Sequence, residues 1–314
     1  MAQYLVTGAA GFIGSNLAQE LLQRGERVRG LDDFSSGRRE NLVGLDAMDF
    51  LEGSIVEPAT CKRACAGVDY VLHEAAAPSV PQSVADPLGT DRVNVHGTLQ
   101  LLLAARDAGV KRFVMANSCA AYGDAPEMPK VETMAATPVS PYGAQKVTGE
   151  LYLRAFHACY GLPTVGLRYF NVFGPRQDPN GAYAAVVPRF IAALLAGEAP
   201  QIFGDGEQSR DFVHVSNVVS ANLLACEAPG APGELFNIGC GQAVRLNELV
   251  NTLRELLGAN VAPRYLPART GDILHSLADI SKARRVLGYE PRVGTAEGLR
   301  RTVDWYRAAH ARAA

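Results

Sequence analysis

The 314-residue sequence has no excess of charge of either sign: 30 Lys and Arg stand against 32 Asp and Glu. A net charge of −2 offers no basic field to nucleic acid or to an anionic membrane surface. No apolar run is long enough to cross a bilayer. The opening MAQYLVTGAAGFIG lacks both a basic leader and a long apolar core, so the cytoplasm is the expected location. Cysteine is sparse and scattered. Cys61, Cys65, Cys119, Cys159, Cys226 and Cys240 do not form a disulfide framework in a chain of this size. Cys61 and Cys65 sit one helical turn apart without the second ligand pair that a metal site needs, so reduced thiols and no metal are expected. There is no internal repeat and no low-complexity tail. What remains, 48% hydrophobic and 20% charged residues, is ordinary for a globular chain of one large domain or two ordinary ones.

Over the first 170 residues, short apolar runs alternate with amphipathic segments. YLVTG (4–8), RVRGLDD (27–33), YVLHEAA (70–76), RFVMANS (112–118) and TVGLRYF (164–170) read as buried parallel strands, because most are continuous rather than alternating. Helices are expected over 13–25, 95–109 and 144–161, with Gly25, Gly109 and Gly161 where a terminating glycine belongs. The alternation predicts an α/β doubly wound parallel sheet with its ligand at the carboxyl ends of the strands. After residue 171 the chain turns rich in Gly, Pro and Asn, then resumes helices near 186–196, 246–258 and 295–314. We expect a cofactor domain over 1–170, with return segments near 211–240, and a smaller mixed α/β substrate domain over 171–314.

Gly8, Gly11 and Gly14 in TGAAGFIG lie between the first strand and the first helix. Three glycines alone are common in such turns. Here a strand precedes them, a helix follows, and Asp32 ends the second strand 18 residues past Gly14. A turn of this kind brings backbone N–H groups and the positive end of a helix to a pyrophosphate, and the acid can accept from ribose hydroxyls. The carboxylate would repel a 2′-phosphate, which favours NAD over NADP; Arg38 and Arg39 are the nearby cations that would argue otherwise.

The spacing Gly-x-x-Gly-x-x-Gly, preceded by Thr7, resembles the extended short-chain dehydrogenase/reductases of the NAD-dependent epimerase/dehydratase family. The likeness continues through HEAAAPSVPQSVADP, NVHGT (94–98), SPYGAQK (140–146), LRYFNVFGPRQ, FGDGEQSRDFVHV and FNIGCG. It implies a Rossmann-like fold and NAD contacts from Phe12, Ile13, Asp33, Ser36, Ser54 and Ile55. It adds Ala75, Ala76, Asn94 and Tyr169 further along, and a homodimer through the helices around 95–109 and 144–160.

Within that likeness Tyr142 and Lys146, one helical turn apart, are the catalytic pair. A phenol titrates near 10, and a nearby ammonium favours the phenolate. Tyr142 would then act as base toward a sugar hydroxyl, while Lys146 holds the nicotinamide ribose. Ser118 falls where the family keeps a catalytic hydroxyl. The family's sugar dehydratases carry an Asp-Glu pair directly after it; this sequence has Cys119 and Ala120. Hydride removal and return at C4 needs no such pair, so C4 epimerisation through a transient 4-keto sugar is expected. We expect Cys119 to be a small buried filler, Tyr122 to line the site, and Asn117 to have at most a tuning effect.

The resemblance also implies a UDP-sugar substrate. Asn171 would contact the diphosphate or sugar, Gln201 and Phe203 the uracil, Arg210 and Arg269 the phosphates, and Asp272 the uridine ribose. Ser79 and Val187 complete the expected substrate contacts. Ser276 stands where a tyrosine in the family restricts the pocket to UDP-glucose and UDP-galactose. A serine there, and the stretch HSLADISKA, resemble members that act on UDP-GlcNAc and UDP-GalNAc, with Ser83 a candidate partner for the acetamido group. A UDP-glucose/UDP-galactose epimerase, or a non-catalytic NAD-responsive regulator on the same fold, are the alternatives.

Overall fold

The computed structural model describes residues 1–180, 184–268 and 274–313. The first lobe contains β1 (Gln3–Thr7), α1 (Phe12–Gln23), β2 (Arg27–Asp32), β3 (Asp49–Glu52), α2 (Pro58–Cys65), β4 (Tyr70–His73), α3 (Val80–Ala85), α4 (Pro87–Asp91), α5 (Thr98–Asp107), β5 (Arg112–Ser118), α6 (Pro141–Tyr160) and β6 (Thr164–Tyr169). Then follow β7 (Asn171–Phe173), α7 (Val186–Leu195), β8 (Gln201–Phe203), β9 (Ser209–His214), α8 (Val215–Glu227), β10 (Leu235–Ile238), β11 (Ala243–Arg245), α9 (Leu246–Leu257), β12 (Arg264–Leu266), α10 (Ser281–Leu287) and α11 (Thr295–Ala313). Seven strands form one parallel sheet in the order β10–β6–β5–β4–β1–β2–β3. This is the doubly wound α/β architecture read from the sequence. The strand order reverses at β1, which opens a crevice between the carboxyl ends of β1 and β4.

The central strands are mostly apolar because helices cover both faces, while the edge strand β3 is partly exposed. Alternate side chains feed two cores. Tyr4, Val6 and Val114 pack with α1 and α8, whereas Leu5, Val71 and Phe113 pack with α2, α5 and α6. Each such side chain, fully withdrawn from water, contributes about 1.5–3 kcal/mol. A third core joins α7, α9 and α11 to β8 and β9. Gly25, Gly109 and Gly161 follow their helices with φ of 77°, 67° and 66°, the left-handed conformation that glycine makes cheap.

Three details depart from the sequence reading. β3 is a four-residue strand at the sheet edge, too short to leave a periodic signal. Residues 92–97 wind as a wider π-helical turn, so α5 proper begins at Thr98. Of the return segments, β10 joins the main sheet beside β6, but β9 builds a separate three-stranded sheet with β7 and β11. Among the described residues no helix is long and apolar enough to cross a membrane.

Candidate active site

β1 delivers the chain into the glycine turn at the crevice. Gly8 has φ of +66°, and a Cβ there would lie 2.8 Å from the Ala75 nitrogen. A Cβ on Gly14 would come within 2.1 Å of the Gly8 carbonyl oxygen. Only glycine allows so close a turn. It brings the N-terminus of α1, capped by Gly11, to a cavity of ≈ 440 Å³. Gly8, Gly11, Phe12, Ile13 and Gly14 form one wall, Asp32, Asp33 and Ser36 a second, and Ile55, Ala75, Ala76 and Ser79 the opposite side. Asp32 is held at the end of β2 by the N–H groups of Ala10 and Phe34, at 2.9 and 2.8 Å. Burial raises its pKa against those bonds. For Asp33, desolvation is outweighed by hydrogen bonds from Ser35 and Ser54, which hold the carboxyl below its usual range. Arg38 pairs with Glu40 and Asp178, and Arg39 with Glu52 and the face of Phe34. With those cations engaged and a carboxylate at the ribose position, the cradle fits NAD.

Two expected cofactor residues act from behind the cavity wall. Asn94 is buried; it holds both the N–H and the carbonyl of Ala77 and donates to Gln145, so it braces the loop after β4. The Tyr169 hydroxyl donates to Glu74 and accepts from Asn222. The sequence reading missed Arg176, which lines the cavity and donates to the Ser15 carbonyl. It also missed Glu74, a lone acid at the end of an apolar strand run. His73 bridges Thr7 and Thr98, and burial lowers its pKa to about 3, so it is a neutral tie between β1, β4 and α5.

The proposed catalytic side chains meet at the next strand ends. Ser118 closes β5 and accepts from the Ala120 N–H at 3.1 Å. Its hydroxyl is a polar neighbour that favours ionisation of the Tyr142 phenol. The start of α6 is fixed twice: Ser140 accepts from the Gly143 N–H, and Ser83 from the Tyr142 N–H. Lys146, one turn on, donates to the Ala116 carbonyl at 2.9 Å, and its Nζ lies 5.8 Å from the Tyr142 ring centroid. Burial pushes Lys146 down to about 8, opposed by Glu74 and Glu150. Burial pushes Tyr142 up to about 12; Ser118 opposes this, while Cys119 and Glu74 add to it. The sequence led us to expect a phenol lowered by the ammonium. Desolvation wins here, because the ammonium is turned to the Ala116 carbonyl rather than to the phenolic oxygen.

On the sugar side, Ser276 is buried, and its N–H donates to the Ser209 carbonyl at 3.1 Å. Its side chain is a polar neighbour of the Cys119 thiol, so position 276 lies near the residue that follows Ser118. Burial keeps Cys119 a thiol, raised to about 11, within reach of Arg210. Arg210 donates to the carbonyls of Ser209 and Leu274. Asn171 carries a buried Oδ1 without a donor among the described residues. Gln201 and Phe203 share one side of β8, with Ile202 buried on the other. Arg269 and Asp272 lie outside the described residues.

Three expectations are corrected. Ser83 is fully buried; its hydroxyl donates to the Val80 carbonyl and accepts the Tyr142 N–H, so it positions α6 instead of reaching an acetamido group. Tyr122 is also buried; its hydroxyl donates to Asn237, and its ring lies 4.6 Å from the Arg168 guanidinium. The Val187 side chain belongs to the core of the smaller lobe. Asn117 points at α6, away from Ser118, with its amide unpartnered among the described residues.

The model of the NAD-dependent epimerase/dehydratase family matches residues 4–239. The chain is 44% identical to a UDP-glucose 4-epimerase of Mycolicibacterium smegmatis, over 96% of this chain and 98% of that one. Among solved structures it is similar to a UDP-N-acetylglucosamine 4-epimerase of Methanobrevibacter ruminantium in complex with UDP-N-acetylmuramic acid. The TM-score is 0.94 at 41% identity, covering 98% of this chain and 99% of that one. A UDP-glucose 4-epimerase of Thermotoga maritima with UDP-glucose superposes with the same TM-score at 42% identity, over 98% and 99% of the two chains. Glycine cradle, Ser118–Tyr142 pair and matches over almost the whole length agree: the chain belongs to the NAD-dependent epimerase/dehydratase family, and NAD is its cofactor.

Proposed function

We propose that this enzyme is a UDP-sugar 4-epimerase that accepts the N-acetylated pair UDP-GlcNAc and UDP-GalNAc. The observation that carries the reading is the set around Ser118: a hydroxyl neighbouring the Tyr142 phenol, followed by a thiol and a methyl group where elimination would need two carboxyl groups. Tyr142 takes the proton of the 4-hydroxyl and later gives it back. Ser118 is donor and acceptor at once, so it holds the sugar oxygen and the phenol in one hydrogen-bonded line. NAD, when bound, accepts and returns the C4 hydride and adds a positive charge beside Tyr142 that offsets its burial. The Lys146 ammonium has the same sign and acts in the same direction.

We assign Arg210 to the diphosphate by the chemistry of its guanidinium, and Asn171, with its orphaned acceptor, to a donor on the ligand. The small side chains of Ser276 and Cys119, neighbours in the fold, support the reading that an acetamido group is accepted. A preference for UDP-glucose and UDP-galactose is the second reading, supported by the names of two of the relatives. Leu151 and Tyr160 stay exposed on α6, with Arg106 of α5 over the Tyr160 ring, and this is the face we propose for a homodimer. Incubation with UDP-GlcNAc and with UDP-galactose, with products separated, tests the reading: interconversion at C4 is expected, and release of a 4-keto-6-deoxy sugar would overturn it.

A further inference from the structure

Glu74 follows β4 directly. His73 is in register with Met115, so Glu74 stands level with Ala116, whose carbonyl holds Lys146. The His73 side chain turns to Thr7 and Thr98 on the α5 face of the sheet. Glu74 points to the other face and reaches across β5 to Tyr169 on β6, whose hydroxyl donates to Oε1 at 2.8 Å. Asn222 of α8 donates to that hydroxyl at 2.7 Å and also to the Val218 carbonyl. All donors in this chain run one way, from Asn222 through Tyr169 to Glu74. Its last member must accept, which a carboxylate does and a carboxylic acid does less well.

Glu74 is also part of the wall of the cofactor cavity. No cation is paired with it among the described residues, in contrast to Glu150, which binds Arg168 through two bonds of 2.7 and 2.6 Å. The titratable groups around it are Lys146 and Tyr142 from α6, Tyr169 from β6 and, behind Tyr169, Cys226 from α8. His73 beside it is neutral, and Arg176 reaches the same cavity from the opposite wall. Burial pushes Glu74 up to about 7, against Tyr169 and Lys146, so its charge is finely balanced.

We propose that Glu74 is a positioning residue of the reaction: clamped by Tyr169, its carboxylate supplies the negative charge that sets the acidity of Tyr142 and favours the oxidised, cationic form of the bound cofactor. The inference rests on the assignment of Tyr142 and Lys146 made above. Glu74→Gln keeps an oxygen for Tyr169 and removes only the charge. A negative neighbour makes the phenol harder to ionise, so its loss moves the activity–pH profile of the holoenzyme to lower pH, by about half a unit to one unit. The same loss disfavours the cationic ring, so after addition of UDP-galactose the share of bound cofactor in the reduced form, read by its near-ultraviolet absorbance, rises roughly threefold or more. Glu74→Asp keeps the charge and stays nearer the wild type in both measurements.

An unmoved profile or an unchanged reduced share in Glu74→Gln overturns the proposal, since one charge must act on both. So does an aspartate variant that behaves like the glutamine one, because reach and not charge would then be the cause. Tyr142→Phe separates this from the catalytic reading. If that variant still epimerises, the assignment of Tyr142 fails; if it is inactive and Glu74→Gln matches the wild type, only the role of Glu74 fails.

Discussion

The cofactor side and the sugar side of the site are built from different materials. The cofactor side is made of backbone: Gly8 and Gly14 stand where any Cβ would strike main-chain atoms, and the helix end behind them does the binding. The side we propose for the sugar nucleotide is made of side chains carried on short strands, such as Phe203 on β8 and Arg210 on β9, and on the turn that bears Cys119. Backbone geometry leaves little freedom, so NAD binding is fixed with the fold. Side chains can be exchanged singly, so substrate choice is expected to be easy to alter while the cofactor is kept.

Breaking the chemistry where the two sides meet has the largest expected effect. Tyr142→Phe removes the base and leaves the ring, and should lower kcat by about a thousandfold with the cofactor still bound, as measured by steady-state rate and cofactor content. On the cofactor side, Gly14→Ala forces a methyl group against the Gly8 carbonyl and should cost about 3 kcal/mol of stability together with the bound NAD. Thermal melting and the cofactor content of the purified protein check this; an alanine variant as stable and as loaded as the wild type contradicts it. On the sugar side, Ser276→Tyr fills the space beside Cys119. It should lower kcat/KM for UDP-GlcNAc by roughly tenfold to a hundredfold while UDP-galactose turnover and NAD content are kept. Equal losses on both sugars would show that position 276 does not choose between them.

The smallest effect is on stability against pH. Glu74 loses its proton near 4.5 when unfolded and about 7 when folded. Between those values the folded protein binds more protons, so this group's contribution to stability falls as pH rises through the window. Discounted for a carboxylate that partly faces an open cavity, the change is about 1–2 kcal/mol. The urea midpoint of cofactor-free protein at the two ends of the window should differ less in Glu74→Gln than in the wild type.

The same division explains what was legible in the sequence. A turn that only glycine can make leaves glycines at fixed spacing, and strands buried on both faces leave apolar runs, so the cradle and the sheet could be read directly. Tyr142 and Lys146 were readable only within the family resemblance, since two such residues one helical turn apart are common on helix surfaces. The contact between Cys119 and Ser276 joins distant parts of the chain, and no local pattern encodes it. Tyr122 was misread because the short turn over 119–122 breaks the alternation of β5 and swings its ring inward beneath Arg168. Ser83 was misread because a serine bound to two backbone groups looks, in sequence, like any other serine. Glu74 did leave a signal, one acid at the end of an apolar run, but its meaning depends on Tyr169 two strands away.

The central claim is that this site moves hydride at C4 and eliminates nothing. The most direct measurement is to incubate the holoenzyme with UDP-GlcNAc in deuterated water and analyse the product. UDP-GalNAc with no solvent deuterium on any carbon is the expected result, because the hydrogen removed from C4 returns to C4. A 4-keto-6-deoxy sugar carrying solvent deuterium would contradict it.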